Sequence, residues 1–494
     1  MTAMQWRIWS LAAAGKFFEG FVVFMTGVAL PLIGREFGLR GSSSGLISAA
    51  ALFGILVGAI GLGGLADYFG RKRMFVVEMI IFVGFLAMLT LANNAIAIIA
   101  CLFGLGLALG CDYPTAHMII SENIPTTSRG RSVLGAFAFQ AIGALSGTAV
   151  GFIVLRNHPA LDAWRWMYAT AVVPALGVMI GRFSITESAH WLLNRGEVIR
   201  AERAVARLLA RRPQYPHVVS LRERAKHLVE RARSAHIGRL FAGGHNLRAT
   251  TLASVPWFLQ DLSTYGIGIF TPTLLAVAFG AAPSHTRTTA DLIASQVLAA
   301  KGSALISLFL IAGILAAIVL ADQVGRIKLQ IAGFIGCAAG LSLAAISTVL
   351  AGAPHIALIF AGIMLFDFMT NLGPNAQTYL IAGEVFPTDI RGMGAGFAAA
   401  FAKTGAVLTA FLFPILLSEI GTRALLWWLI AASLLGALTT WLFRIETKGV
   451  RLDRIGIPTA TEALGTRAQA AEPERLYAAG RKPETPEDKA CPIS

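Results

Sequence analysis

Two short stretches decide the reading: Asp67-Tyr68-Phe69-Gly70-Arg71-Lys72-Arg73 and Asp322-Gln323-Val324-Gly325-Arg326-Ile327-Lys328, each set between two long apolar runs. A second pair repeats the relation. Glu122-Asn123-Ile124-Pro125 leads to Arg129-Gly130, and Glu384-Val385-Phe386-Pro387 leads to Arg391-Gly392, with the same internal spacing. Signatures that recur in the same order half a chain apart mark an internal duplication, and apolar flanks make it a duplicated membrane bundle.

Composition supports this independently. Of the 494 residues, 56% are hydrophobic and 14% charged, and mean hydropathy is +0.68, far from the norm of soluble domains. About 20 mainly apolar residues cross a bilayer. Twelve candidate spans begin near Leu11, Ser44, Met74, Ile96, Ser132, Trp166, Arg248, Ser303, Gln330, His355, Met393 and Ala424. The expected fold is an all-α membrane protein of twelve transmembrane helices in two pseudo-symmetric six-helix bundles, residues 1–185 and 248–444. Residues 186–247 read as a cytoplasmic linker with short amphipathic helices such as 197–210, and 445–494 as a cytoplasmic tail that lacks apolar periodicity and is expected to be disordered.

The net charge of +14 matters through its location rather than its size. Basic residues gather at 71–73, Arg129 and Arg131, 195–239, Arg326 and Lys328, and Arg391, which are alternate loops. The positive-inside rule puts these and both termini in the cytoplasm, across a bacterial inner membrane. The partners are then the lipid bilayer, a small-molecule substrate and protons, with no nucleic acid, and the chain is expected to act as a monomer. Cys101, Cys111, Cys337 and Cys491 are scattered. Their spacing offers neither a disulfide framework nor metal ligands, and no cofactor or metal is expected. No nucleophile–base arrangement or cofactor loop is evident, so the chain does not read as an enzyme.

Ionisable residues inside spans are costly and point to function. Those within the apolar runs are Glu19, Asp112, Asp261, Asp367 and Lys403. Trp257, Asp261 and Tyr265 fall at i, i+4 and i+8 of the seventh span, and Asp367, Asn371 and Asn375 do so in the tenth. Each trio forms one polar stripe, expected to face a central cavity, with Gly373-Pro374 breaking the tenth helix. Four acids against one lysine leave surplus negative charge, which suits a proton carrier and equally a cationic or neutral substrate.

Gly64-Leu65-Ala66-Asp67-Tyr68-Phe69-Gly70-Arg71-Lys72-Arg73 resembles the loop signature of the major facilitator superfamily, and the Asp322 copy resembles its counterpart in the second half. Thr186-Glu187-Ser188-Ala189-His190-Trp191-Leu192-Leu193 and Glu446-Thr447-Lys448-Gly449 resemble sugar-porter motifs after helices six and twelve. The resemblance covers residues 11–449; Cys101 stands where that family commonly has an arginine. The loop residues make physical sense as gates: Asp67 facing a helix end, Gly70 permitting the turn, Asp322 in the corresponding loop of the second half, and Arg71, Arg129, Arg326 and Arg391 offering pairs to Glu122, Glu187, Glu384 and Glu446.

Within that family, Gly110-Cys111-Asp112-Tyr113-Pro114, Gln140, Trp257-Phe258-Leu259-Gln260-Asp261 with Tyr265, Asn371-Leu372-Gly373-Pro374-Asn375 and Lys403 are similar to the phosphate:proton symporter branch. The resemblance implies that Tyr113, Gln140, Trp257, Asp261, Tyr265 and Asn371 surround the substrate, with Lys403 as countercharge to an anion. Asp112 and a helix-one acid would carry protons, with Asp367 as a further candidate. Where the branch has two acids in helix one, this chain has Glu19-Gly20-Phe21-Val22. Gly143, Gly147 and Gly151 show small-xxx-small spacing, a helix-packing pattern, without the Gly-Pro pair of antiporters. The expected function is a secondary active transporter moving a small polar or anionic metabolite (phosphate, sugar or organic acid) by alternating access with proton symport. The alternative is a non-transporting nutrient sensor on the same fold.

Overall fold

The computed structural model describes residues 1–39, 41–61, 65–124, 129–210, 237–279, 288–387 and 390–447; the expectations for the tail from 448 and for linker residues 211–236 lie outside them. Also outside are the side chains of Asp67, Tyr113 and Arg129.

The first half runs through α1 (Ala3–Glu36), α2 (Ser42–Gly61), the short α3 (Leu65–Phe69), α4 (Arg71–Thr90), α5 (Ala95–Asn123), α6 (Arg129–Asn157) and α7 (Ala163–Phe183). Two short helices, α8 (Ala189–Asn194) and α9 (Val198–Leu208), follow, the second matching the amphipathic linker segment. The second half runs through α10 (Gly244–Ala278), α11 (Thr289–Val324), α12 (Arg326–Ser347), α13 (Ala353–Leu372), α14 (Pro374–Glu384) and α15 (Arg391–Leu442). Ten stretches among the described residues are long and apolar enough to cross a membrane. One of them, α15, is broken at Gly421 (φ 75°, ψ 168°) into two spans, and the 35-residue α10 completes twelve.

α1 starts eight residues before the expected Leu11, because Thr2 forms a capping box with Gln5, which satisfies free N–H groups at the helix start. Thr2 Oγ1 also donates to the Leu208 carbonyl (2.6 Å) and Gln5 Nε2 to the Asn123 carbonyl (2.8 Å), tying the chain start to α9 and α5. These ends, residues 184–210 and 237–247, and residues 443–447 share one face of the bundle, here called the linker face.

Helix contacts are close where side chains vanish. A Cβ on Gly143 would lie 2.0 Å from the Phe17 carbonyl oxygen, and one on Gly147 2.5 Å from that of Phe21. The small-residue spacing in α6 is therefore a packing seam against α1. The halves meet in the same way toward the far face: a Cβ on Gly27 would lie 2.1 Å from the Ile269 carbonyl oxygen, and one on Gly45 2.4 Å from that of Phe411. Ser48 Oγ donates to the Ala410 carbonyl at 2.6 Å. Toward the linker face the cross-half contact is aromatic: Tyr379 stacks on Phe137 at 4.9 Å and meets Trp257 edge-on at 6.0 Å. The tenth span breaks where expected: α13 ends at Leu372, Gly373 is non-helical (φ −106°, ψ −100°), and α14 restarts at Pro374.

Candidate functional site

On the linker face the duplicated motifs build two matching sites. In the first half, Glu187 Oε1 accepts from the backbone N–H of Lys72 at 2.9 Å, at the start of α4. Gly70 (φ +109°) turns the chain so tightly that a Cβ would lie 2.8 Å from Glu187 Oε2. In the second half, Glu446 accepts from the N–H groups of Arg326 (3.1 Å) and Ile327 (3.3 Å), at the start of α12. Gly325 (φ +105°) takes the corresponding turn. A carboxylate at a helix N-terminus takes up unpaired N–H groups and complements the dipole.

Glu187 and Glu446 thus act on backbone, where side-chain pairing with the arginines was expected. Arg71 and Arg326 use other acids. Arg71 lies 3.6 Å from Glu122, to which Ser188 donates. Arg326 lies 2.9 Å from Asp322 and 3.3 Å from Glu384. Arg391 donates to the Phe386 carbonyl at 3.1 Å. Each of these contacts lies within one half, so they stiffen the ends of each bundle; none of them clamps one half to the other.

The centre is different. Lys16 and Glu19 on α1 pair at 3.1 Å, and Lys403 on α15 lies 3.7 Å from Glu19 and 3.1 Å from Asp261 on α10. The Tyr265 hydroxyl donates to Glu19 Oε1 at 3.0 Å and accepts from Lys403 Nζ at 2.7 Å. Gln140 Nε2 reaches both Glu19 Oε1 and the Tyr265 hydroxyl at 3.3 Å. Two lysines thereby balance two carboxylates across the interface of the halves, and Glu19 and Lys403 are each 2% exposed. Burying this cluster is tolerable because each charge lies against an opposite one. Next to it lies a cavity between the halves, lined by Gln140 and Tyr265 together with Phe24, Thr264, Asn371 and Asn375.

Of the residues expected around a substrate, Gln140, Tyr265 and Asn371 line this cavity. Asp261 and Lys403 stand behind Tyr265, and Trp257 sits one turn from Asp261 against Tyr379. Asn375 donates to Asn371 Oδ1 at 2.6 Å, joining α14 to α13 across the helix break. Asp367 departs from the expected stripe. It is buried one turn before Asn371, outside the cavity lining, with no hydrogen-bonded or charged partner among the described residues. Helical spacing predicts a shared face of one helix, but which neighbour that face meets changes within a turn.

Asp112 also lies elsewhere than the central cavity. Arg182 on α7 donates to Asp112 Oδ1 and to Glu78 Oε1, each at 2.7 Å, and to the Phe75 carbonyl at 2.8 Å. Its guanidinium rests 3.5 Å from the centre of the Phe75 ring, and Arg182 is 0% exposed. Gly15 makes room for this group: a Cβ there would lie 2.0 Å from Asp112 Oδ2. Glu78 Oε2 is buried without a hydrogen-bond partner among the described residues. Arg182, Glu78 and Lys16 are absent from the ionisable residues expected within the spans. A usable signal was present, since Glu78 stands five residues beyond Arg73, inside an apolar helix.

The chain matches the family described as "Sugar (and other) transporter" over residues 9–457. It is 29% identical over 453 residues to the inner membrane metabolite transport protein YgcS of Escherichia coli (strain K12), covering 91% of this chain and 93% of that one. It is 27% identical over 521 residues to a Schizosaccharomyces pombe protein assigned as an inorganic phosphate transporter, covering 92% and 88%. Its fold superposes on the proton:xylose symporter XylE with a TM-score of 0.73 at 20% identity, over 94% of this chain and 99% of the other. The chain belongs to the sugar (and other) transporter family, shares its fold with a major facilitator superfamily symporter, and is an integral membrane transporter.

Proposed function

We propose that this transporter carries a small polar or anionic metabolite (a sugar, an organic acid or phosphate) together with protons, by alternating access through the cavity between its halves. The observation that carries the reading is the charge cluster Lys16–Glu19–Lys403–Asp261, whose members come from both halves. A cluster that spans the interface is made and broken as the halves rock, so its protonation and ligation bias the two-state equilibrium. Gln140, Tyr265 and Asn371 form the substrate wall, and Tyr113 and Trp257 are assigned to the same site. Asp112 and Glu19 are the proton carriers. Two carboxylates share the single Arg182, and the uncompensated one is a natural acceptor for a proton.

The chain acts as a monomer in a bacterial inner membrane, with the linker face toward the cytoplasm. Alternate-loop basic charge supports that orientation. Proteoliposomes containing the purified chain, assayed with labelled phosphate, glucose and gluconate with and without an imposed proton gradient, test this reading. Accumulation of one of these driven by inward proton flow is expected. Equal uptake with and without the gradient would remove proton symport and leave facilitated diffusion.

A further inference from the structure

The donors around Glu19 converge in a way that a mere ion pair does not require. Lys16 Nζ donates to Oε2, the Tyr265 hydroxyl and Gln140 Nε2 donate to Oε1, and Lys403 Nζ, bonded to the Tyr265 hydroxyl, stands 3.7 Å from Oε1. Two ammonium groups, a phenol and an amide directed at one carboxylate form an oxyanion-binding constellation, and its present occupant is the protein's own side chain. Two of the four donors, Gln140 and Tyr265, also line the central cavity, so a solute there is one residue away from the same groups. Gln140 Oε1 is buried without a partner among the described residues, leaving an acceptor at the same wall.

We infer that the Glu19 carboxylate holds the place of a monovalent oxyanion, a carboxylate or dihydrogen phosphate, and that Lys16 and Lys403 are the residues that select it. This rests on the proposed proton symport and names the substrate class within it. The step balances. One proton from solvent attaches to Glu19, whose neutral carboxyl releases Lys16, Lys403, Tyr265 and Gln140. The oxyanion takes these donors, and the cluster keeps two positive and two negative charges with Asp261. On the other side the anion leaves, the proton leaves Glu19, and the original pairs re-form.

A neutral sugar supplies no charge to replace Glu19 and would leave the lysine pairs as they stand. A divalent anion would leave one buried negative charge uncompensated, which is strongly unfavourable. The charged and titratable groups that face Glu19 are Lys16 on its own helix, Asp261 and Tyr265 on α10, Lys403 on α15, and Tyr379 on α14. Asp112 on α5 acts on Lys16 from the opposite side. Among these, Glu19 is the acid on which the donors converge.

The test uses the purified full chain and equilibrium binding of labelled gluconate, whose carboxylate stays ionised throughout, with labelled phosphate as the second arm and glucose as the neutral control. In the wild type, gluconate binds more weakly as pH rises, because the anion must displace ionised Glu19. Glu19→Gln mimics the protonated acid: it binds gluconate about tenfold more tightly near neutral pH and loses most of the pH dependence. Lys16→Gln weakens binding about tenfold, and Lys16→Arg retains it, which separates lost charge from lost folding. Gluconate binding without phosphate binding assigns a carboxylate, and the reverse assigns phosphate.

Weaker gluconate and phosphate binding by Glu19→Gln, while Lys16→Arg still binds, would overturn the inference, as would unchanged affinity in Lys16→Gln or the absence of saturable binding of both anions. Gradient-driven uptake of glucose with both anions inert would overturn it while leaving proton symport standing. Gluconate or phosphate uptake indifferent to any proton gradient would remove symport instead.

Discussion

The two halves share their linker-face machinery and differ in their interiors. Glu187 and Glu446 cap α4 and α12 in the same way, beyond Gly70 and Gly325 with nearly equal positive φ. Deeper in, Glu78 stands seven residues after Arg71, and Gly333 stands seven after Arg326. Glu78 meets Arg182, whereas a Cβ on Gly333 would lie 2.4 Å from Pro374 Cδ and 2.5 Å from Gly373 Cα. At equivalent depth one half holds a buried ionic triad and the other a backbone contact at a helix break. Duplication preserved what each half needs to turn at the membrane surface, while the interiors diverged at this depth; we assign the ionic triad of the first half to proton binding and the helix break of the second half to a hinge around the substrate.

The largest effect that would break this comparison belongs to Arg182. Arg182→Met strands two buried carboxylates, and removing one partner of a buried charge group costs about 3 to 5 kcal/mol. Thermal unfolding in detergent should show that loss; a change under about 1 kcal/mol would mean that the triad is not held together by its arginine.

A smaller loss is expected in the other half. Gly333→Ala forces apart α12 and the Gly373–Pro374 break, an overpacking change of about 1 to 3 kcal/mol, and should slow transport more than it lowers binding. If unfolding and transport kinetics are both unchanged, the helices have room to spare and the hinge reading fails.

The smallest effects should be equal. Glu187→Gln and Glu446→Gln each weaken a carboxylate at a helix start, worth about 0.5 to 1 kcal/mol. Matched losses in separate unfolding curves would sharpen the symmetry of the linker face, and a loss confined to one half would break it.

Much of this was legible in the sequence. The paired signatures gave the duplication, the apolar runs gave the spans, and Gly373-Pro374 gave the break. Gln140, Tyr265, Asp261, Asn371 and Lys403 did come together around one region. The rest depended on which helices meet. Spacing along α13 put Asp367 and Asn371 on one stripe, yet neighbouring helices enclose the first and open a cavity beside the second. Asp112 was legible as a buried acid; its partner Arg182 lies 70 residues away, near the end of a span where a charge reads as surface. Glu187 and Glu446 were legible as acids near arginines, but a sequence does not show that backbone N–H groups would claim them.

The central claim is that proton coupling resides in the first half. Its most direct test compares Asp112→Asn with Asp367→Asn in proteoliposomes, measuring both gradient-driven accumulation and exchange of internal for external substrate. The account predicts that Asp112→Asn abolishes accumulation and keeps exchange, because exchange needs no net proton movement, while Asp367→Asn keeps both. Full accumulation by Asp112→Asn, with its loss in Asp367→Asn, would contradict the account and move the proton site to the second half.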